Sequence, residues 1–224
     1  MKTLIFGATG MVGQGVLREC LLHPDIDAVL TVGRSATGVT HAKLRELVRP
    51  DLMRYQEIEA DLRGFDACFF CLGVSSFGLS EPQYEHLTYD ITMAAAETLS
   101  RLNPGMTFVY VSGAGTDSSE KGRVMWARVK GKTENALLRL PFKAAYMFRP
   151  AVIQPMHGER SKTTAYRVGY SLTKPLLPLL RRVFPRYILT TEEIGRAMIR
   201  VAKTGAPKRI LENSDIRECA GFSE

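Results

Sequence analysis

Through its first 150 residues the chain alternates short strand-like runs with segments of helical spacing, and this rhythm limits the folds open to it. KTLIF at 2–6, AVLTVG at 28–33, DACFFCL at 66–72, MTFVYVSG at 106–113 and AAYMFRP at 144–150 are largely apolar runs. MRYQEI at 53–58 reads as one more strand, third in order. Between them, residues 11–22, 81–102 and 123–140 have helical spacing and are closed by Pro24, by Asn103-Pro104-Gly105 and by Pro141. A strand wetted on one face alternates polar and apolar residues, whereas a strand covered on both faces need not. Near-continuous apolar strands alternating with helices therefore predict a parallel sheet with helices on both sides. Right-handed crossovers make it an α/β, doubly wound, Rossmann-like sheet. There is no internal repeat or flexible linker, and 224 residues suit a single domain, 1–224.

After Pro150 the rhythm ends. Residues 158–186 mix basic residues with Pro175, Pro178, Pro185 and the patch LLPLL. They predict a small C-terminal region of helix and loop, with 151–190 covering the substrate side of the sheet. The amphipathic KPLLPLLRRVF reads as a core helix or pocket lid rather than a membrane-surface segment. TTEEIGRAMIRVA, opened by Thr191 to Ile194 as cap and first turn, is an amphipathic helix, and KRIL at 208–211 suggests a last strand.

A hydrophobic fraction of 45% and a charged fraction of 24% describe an ordinary globular protein. The apolar start of MKTLIFGATG breaks at Gly7, too soon for a signal peptide, and no run approaches a membrane span of about 18 residues. These features predict a cytoplasmic protein. Cys68 and Cys71 lie three apart on a strand and point to opposite faces, so Cys-Phe-Phe-Cys reads as core cysteines rather than a metal or disulfide pair. The four histidines lack ligand spacing, and no metal is expected. Of the net charge of +7, residues 121–186 hold fifteen Lys and Arg against Glu134 and Glu159. That asymmetry fits a solvated basic face or a pocket for an anionic ligand such as a phosphorylated cofactor. Zinc-finger spacing, aromatic RNA-binding clusters and arginine-rich arms are absent, so nucleic acid is not an expected partner.

GATGMVG, residues 7–13, leaves the first strand and opens the first helix. Gly7, Gly10 and Gly13 let the backbone turn tightly and approach a pyrophosphate, while Thr9, Met11 and Val12 lie at the helix N-terminus, where free N–H groups meet an anion. In that context the turn predicts dinucleotide binding. Strand two ends in Val32-Gly33-Arg34-Ser35. NAD sites carry an acid there for the ribose hydroxyls; a guanidinium and a hydroxyl suit a 2′-phosphate instead, so NADP(H) is expected in preference to NAD(H). Asp61-Leu62, after the expected third strand, offers a carboxylate to the adenine amino group or a turn cap, and Gly73 lets the chain pass close to the cofactor.

With these residues stand YVSGAG at 110–115, VKGKTE at 129–134, FRPAVI at 148–153 with Pro150, and LENSDIR near the end. Together they resemble the short-chain dehydrogenase/reductase superfamily over nearly the whole chain, in particular its atypical, Tat-interacting oxidoreductase-like branch. The resemblance places Ser112 and Lys130 on catalytic positions: the serine would hydrogen-bond a substrate carbonyl, and the lysine would hold the nicotinamide ribose and lower the pKa of a tyrosine four residues before it. That tyrosine is the family's proton donor. Here the position is Trp126, whose indole N–H is a donor only and cannot shuttle protons. Tyr84, Tyr89, Tyr166 or Tyr170 could reach the pocket from elsewhere.

Two functions follow. One is an NADP(H)-dependent oxidoreductase, or an epimerase or dehydratase, acting on a small carbonyl or sugar-like molecule. The other is an NADPH-binding sensor or interaction module with little turnover. A protein partner or homo-oligomer fits either.

Overall fold

The structure is a computed structural model and describes residues 1–159 and 187–221. Seven parallel strands form the central sheet: β1 (Lys2–Phe6), β2 (Ala28–Gly33), β3 (Leu44–Val48), β4 (Ala67–Phe70), β5 (Thr107–Val111), β6 (Ala144–Arg149) and β9 (Ile210–Glu212). Their spatial order is β3-β2-β1-β4-β5-β6-β9, which is the doubly wound Rossmann-like arrangement. A separate parallel pair, β7 (Val152–Gln154) and β8 (Ile188–Thr190), joins the ends that flank residues 160–186.

The sheet has a core on each face. Phe69 and Phe70 follow each other in β4 and point to opposite sides, and both are fully buried. Phe70 stacks with Phe6 and Phe108 beneath α3 (Ile91–Leu102) and α4 (Met125–Arg139). Phe69 packs with Val109 and Phe148 beneath α1 (Met11–Leu22) and α5 (Thr191–Thr204). Burial on both faces is the physical reason these strands need no polar alternation. Cys68 belongs to the first core and Cys71 packs against the second; all four cysteines are free thiols.

The strands at 2–6 and 28–33 and the helix at 11–22 lie where the sequence places them. The third strand does not. MRYQEI is not a strand; residues 56–58 form a single 3₁₀ turn, and β3 is LRELV at Leu44–Val48. Among the described residues this edge strand pairs only with β2, and it is half exposed, so it carries Arg45 and Glu46 and lacks the apolar signature of its neighbours. The long helix expected over 81–102 is interrupted: α2 (Glu81–Glu85) runs through a π-turn, His86–Asp90, into α3. The cap of α5 is Thr190 rather than Thr191, in a reciprocal capping box with Glu193. The pair β7–β8 and the closing helix α6 (Asn213–Cys219) carry too few residues to show a period. Tyr166, Tyr170, the three prolines and KPLLPLLRRVF lie outside the described residues, as does most of the 151–190 cover.

Candidate functional site

At the carboxyl ends of the strands, β1 has β2 on one side and β4 on the other, and this reversal of strand order opens a cleft of about 910 Å³. Ligands of open α/β sheets bind at such a switch point. Gly7, Thr9, Gly10, Met11, Val12, Arg34, Ser35, Gly73, Ser112, Lys130 and Pro150 all line it.

The floor is the turn between β1 and α1. Gly7 has φ +79°, and a Cβ on it would sit 2.7 Å from the backbone of Cys71 and Leu72. A Cβ on Gly13 would lie 2.1 Å from the Gly7 carbonyl. No side chain larger than hydrogen fits either position, so the turn comes against the β4 end without a side chain between them. Gly10 is the N-cap of α1 and gives no side-chain cap, and no acidic residue occupies the first turn. The first N–H groups and the positive end of the helix dipole are thus left for an anion in the cleft. This cradle of bare backbone fits a dinucleotide pyrophosphate.

Arg34 and Ser35 are exposed at the β2 end of the cleft. The loop behind them is anchored by Glu46, which accepts hydrogen bonds from Thr31 Oγ1 at 3.1 Å and from the Thr37 N–H at 2.8 Å. Asp61 and Leu62 do not reach the cleft. Asp61 accepts a bond from Arg45 at 2.7 Å on the surface, and Leu62 is wholly buried in the core. Asp51 and Leu52 take the cleft position instead, because they follow the true β3. The Arg49 N–H bonds the Gly33 carbonyl at 2.8 Å and ties this turn to the end of β2. Asp-Leu occurs twice, at 51–52 and at 61–62, and the position of β3 at Leu44–Val48 makes the first pair the one that follows the strand.

The cleft is also lined by Ser112, Lys130 and His86. Ser112 Oγ lies 2.5 Å from Glu134 Oε1 and 3.1 Å from the Phe148 carbonyl, so its single proton is shared between two buried acceptors. Glu134 is fully buried and paired with Arg149 through bonds of 3.1 and 2.5 Å; Arg149 also reaches Glu212 and Ser118. The serine hydroxyl is therefore committed to this network. The Lys130 ammonium donates to the Ser112 carbonyl. Burial pushes its pKa down to about 8, partly offset by the Glu134 carboxylate one turn along the helix.

Trp126 is half buried in the first turn of α4. Its ring edge lies 3.6 Å from the point where a Gly115 Cβ would be, and the residue is not part of the cleft lining. The structure thus brings Lys130 into the cleft and leaves the indole outside it. Tyr84 is buried, and Tyr89 lies under the Lys132 ammonium at 4.5 Å; neither lines the cleft. Among the described residues there is no cluster that could hold a metal ion, and no helix long and apolar enough to cross a membrane.

No family model matches the chain. It is 28% identical over 215 residues to Protein FMP52-2, mitochondrial, of Scheffersomyces stipitis, an alignment covering 93% of this chain and 90% of that one. It is 30% identical over 162 residues to Protein fmp52-1, mitochondrial, of Aspergillus terreus, covering 66% and 65%. The cytoplasmic expectation is corrected here, since these relatives are named mitochondrial proteins. In structure, the chain superimposes on the Bordetella bronchiseptica enzyme WbmF in complex with NAD+ with a TM-score of 0.70 and 16% identity, covering 98% of this chain and 76% of that one. It matches a short chain dehydrogenase/reductase family oxidoreductase from Burkholderia thailandensis with a TM-score of 0.69 and 16% identity, covering 97% and 92%. These likenesses establish the fold that the sheet order describes.

Proposed function

We propose that the chain binds NADP(H) in this cleft and acts as an oxidoreductase, or a related epimerase, on a small carbonyl or sugar-like substrate. One observation carries the reading: the bare N-terminus of α1 over the Gly7–Gly13 turn shares a cleft with Arg34 and Lys130. The turn and helix end take the pyrophosphate, Arg34 with Ser35 takes the 2′-phosphate, Asp51 accepts from the adenine amino group, and Lys130 binds the nicotinamide ribose. The bound cofactor supplies or accepts a hydride. The NAD+ held by the similar WbmF supports a nicotinamide cofactor, and Arg34 supports the phosphorylated form.

The alternative is an NADPH sensor without turnover. It is favoured by the lack of a tyrosine in the cleft lining among the described residues.

Calorimetric titration of the wild type and Arg34→Ala with NADPH and NADH tests the assignment. A hydrogen bond to a charged group contributes about 1.5–3 kcal/mol, so the variant should lose about tenfold to a hundredfold in NADPH affinity and little in NADH affinity. Equal losses for both cofactors would remove Arg34 from the 2′-phosphate.

A further inference from the structure

Reduction of a carbonyl needs a proton as well as a hydride, and the family's tyrosine position is taken by an indole outside the cleft. Among the described residues, the titratable groups lining the cleft are Arg34, Asp51, Cys71, His86 and Lys130; Arg34 and Asp51 follow β2 and β3, and the other three remain. Burial pushes the Cys71 thiol up to about 12, and the Lys130 ammonium is tied to the Ser112 carbonyl. His86 is differently placed. Its Nδ1 lies 2.9 Å from Asp90 Oδ2, and its side chain keeps 56% exposure.

The backbone builds this pair. Residues 86–90 form the π-turn between α2 and α3, closed by the Ile91 N–H donating to the His86 carbonyl. The wider i→i+5 winding brings residues 86 and 90 nearly one above the other, and such turns recur at functional sites. An ionised carboxylate only accepts, so Nδ1–H donates to Asp90. That bond fixes the ring, and leaves Nε2 as the atom that takes up and releases a proton. The other charges on this segment are occupied: Glu85 is paired with Lys132, and Glu81 with Arg128.

We infer that His86, held by Asp90, is the proton-transfer group of the cleft. The inference rests on the proposed cofactor reading and supplies what that reading lacks. In the reducing direction the carbonyl carbon receives a hydride from the reduced cofactor, and the C=O π pair moves to oxygen. The oxygen takes its proton from His86 Nε2–H, giving the alcohol and the oxidised cofactor. His86 is reprotonated from solvent. Asp90 is a positioning residue in this scheme, since its contact is with the imidazole.

The test is NMR on the whole chain, following the His86 Hε1 resonance (assigned through His86→Gln) during titration with NADP+ and with NADPH. Binding is read independently from Trp126 emission and calorimetry. A His86 resonance that moves on binding, and stands at different positions with the two redox forms, is the expected result. Binding without any His86 response overturns this inference and leaves the cofactor reading intact; absence of binding overturns both. On any carbonyl substrate that is turned over, His86→Gln should lower kcat about 10²–10⁴-fold while NADPH affinity stays within twofold. A kcat within twofold of wild type would equally overturn it. Asp90→Asn should lower kcat by less than His86→Gln, because the ring stays in place.

Discussion

Lys130 shows how much a single side chain can report. The folded chain holds its pKa near 8, below the ordinary lysine value of 10.5, because burial disfavours the ammonium. Between those two values the unfolded chain carries a proton that the native one has released. Unfolding then takes up a proton, and stability rises with pH across that window. Urea midpoints of the wild type and Lys130→Met should therefore diverge, the wild type gaining on the variant from pH 8 towards 10.5. Parallel curves would mean that the ammonium is hydrated. The neighbouring Glu134–Arg149 pair acts on stability more directly. Glu134→Ala leaves a buried guanidinium with only Glu212 and Ser118, and breaking such a pair costs about 3–5 kcal/mol. A loss below about 1 kcal/mol in chemical denaturation would show that Arg149 finds water. The sequence disclosed neither Glu134 nor Arg149 as a partner of Ser112. Fifteen residues separate Glu134 from Arg149 and twenty-two separate it from Ser112, and only the packing of α4 on β5 and β6 brings them together.

At the scale of elements, legibility follows burial. The strands covered on both faces announced themselves, and β1, α1 and β2 were bounded to the residue. The edge strand β3 was not, since one exposed edge and a half-wetted face admit Arg45 and Glu46. A strand at 53–58 is followed by Asp61-Leu62, whereas β3 at Leu44–Val48 is followed by Asp51-Leu52, the pair that lines the cleft. The π-turn was hidden for another reason: it changes hydrogen bonding by one residue without changing the apolar period enough to see. Helix contacts give the sharper prediction. α1 and α5 pack so closely that a Cβ on Gly15 would lie 2.5 Å from the Thr191 Cβ. Gly15→Ala should therefore destabilise the chain by about 1–3 kcal/mol through overpacking, despite alanine's better helix propensity. A stabilised variant in thermal melts would mean that the two helices slide apart at little cost.

For the whole molecule, the sheet order decides where chemistry can occur. Strand order reverses around β1, the carboxyl ends of β1, β2, β4 and β5 meet one cleft, and the bare end of α1 faces into it. The glycine turn and Arg34 are legible in position because each directly follows a strand, β1 or β2, whose buried run marks its end. The positions of Ser112, Trp126 and His86 relative to the cleft depend on how distant elements pack, which no local pattern encodes. A second groove of about 550 Å³ between α1 and α5 is lined by Arg18, Glu19, Glu192 and Arg196, whose charges pair with one another. It offers no comparable cradle for a dinucleotide. A crystal structure of the chain grown with saturating NADPH tests this assignment most directly. The predicted result is a pyrophosphate on the N–H groups that open α1, a 2′-phosphate against Arg34, and the nicotinamide end beside Lys130. Electron density for the cofactor in the α1–α5 groove, or a cleft without it at saturation, would contradict it.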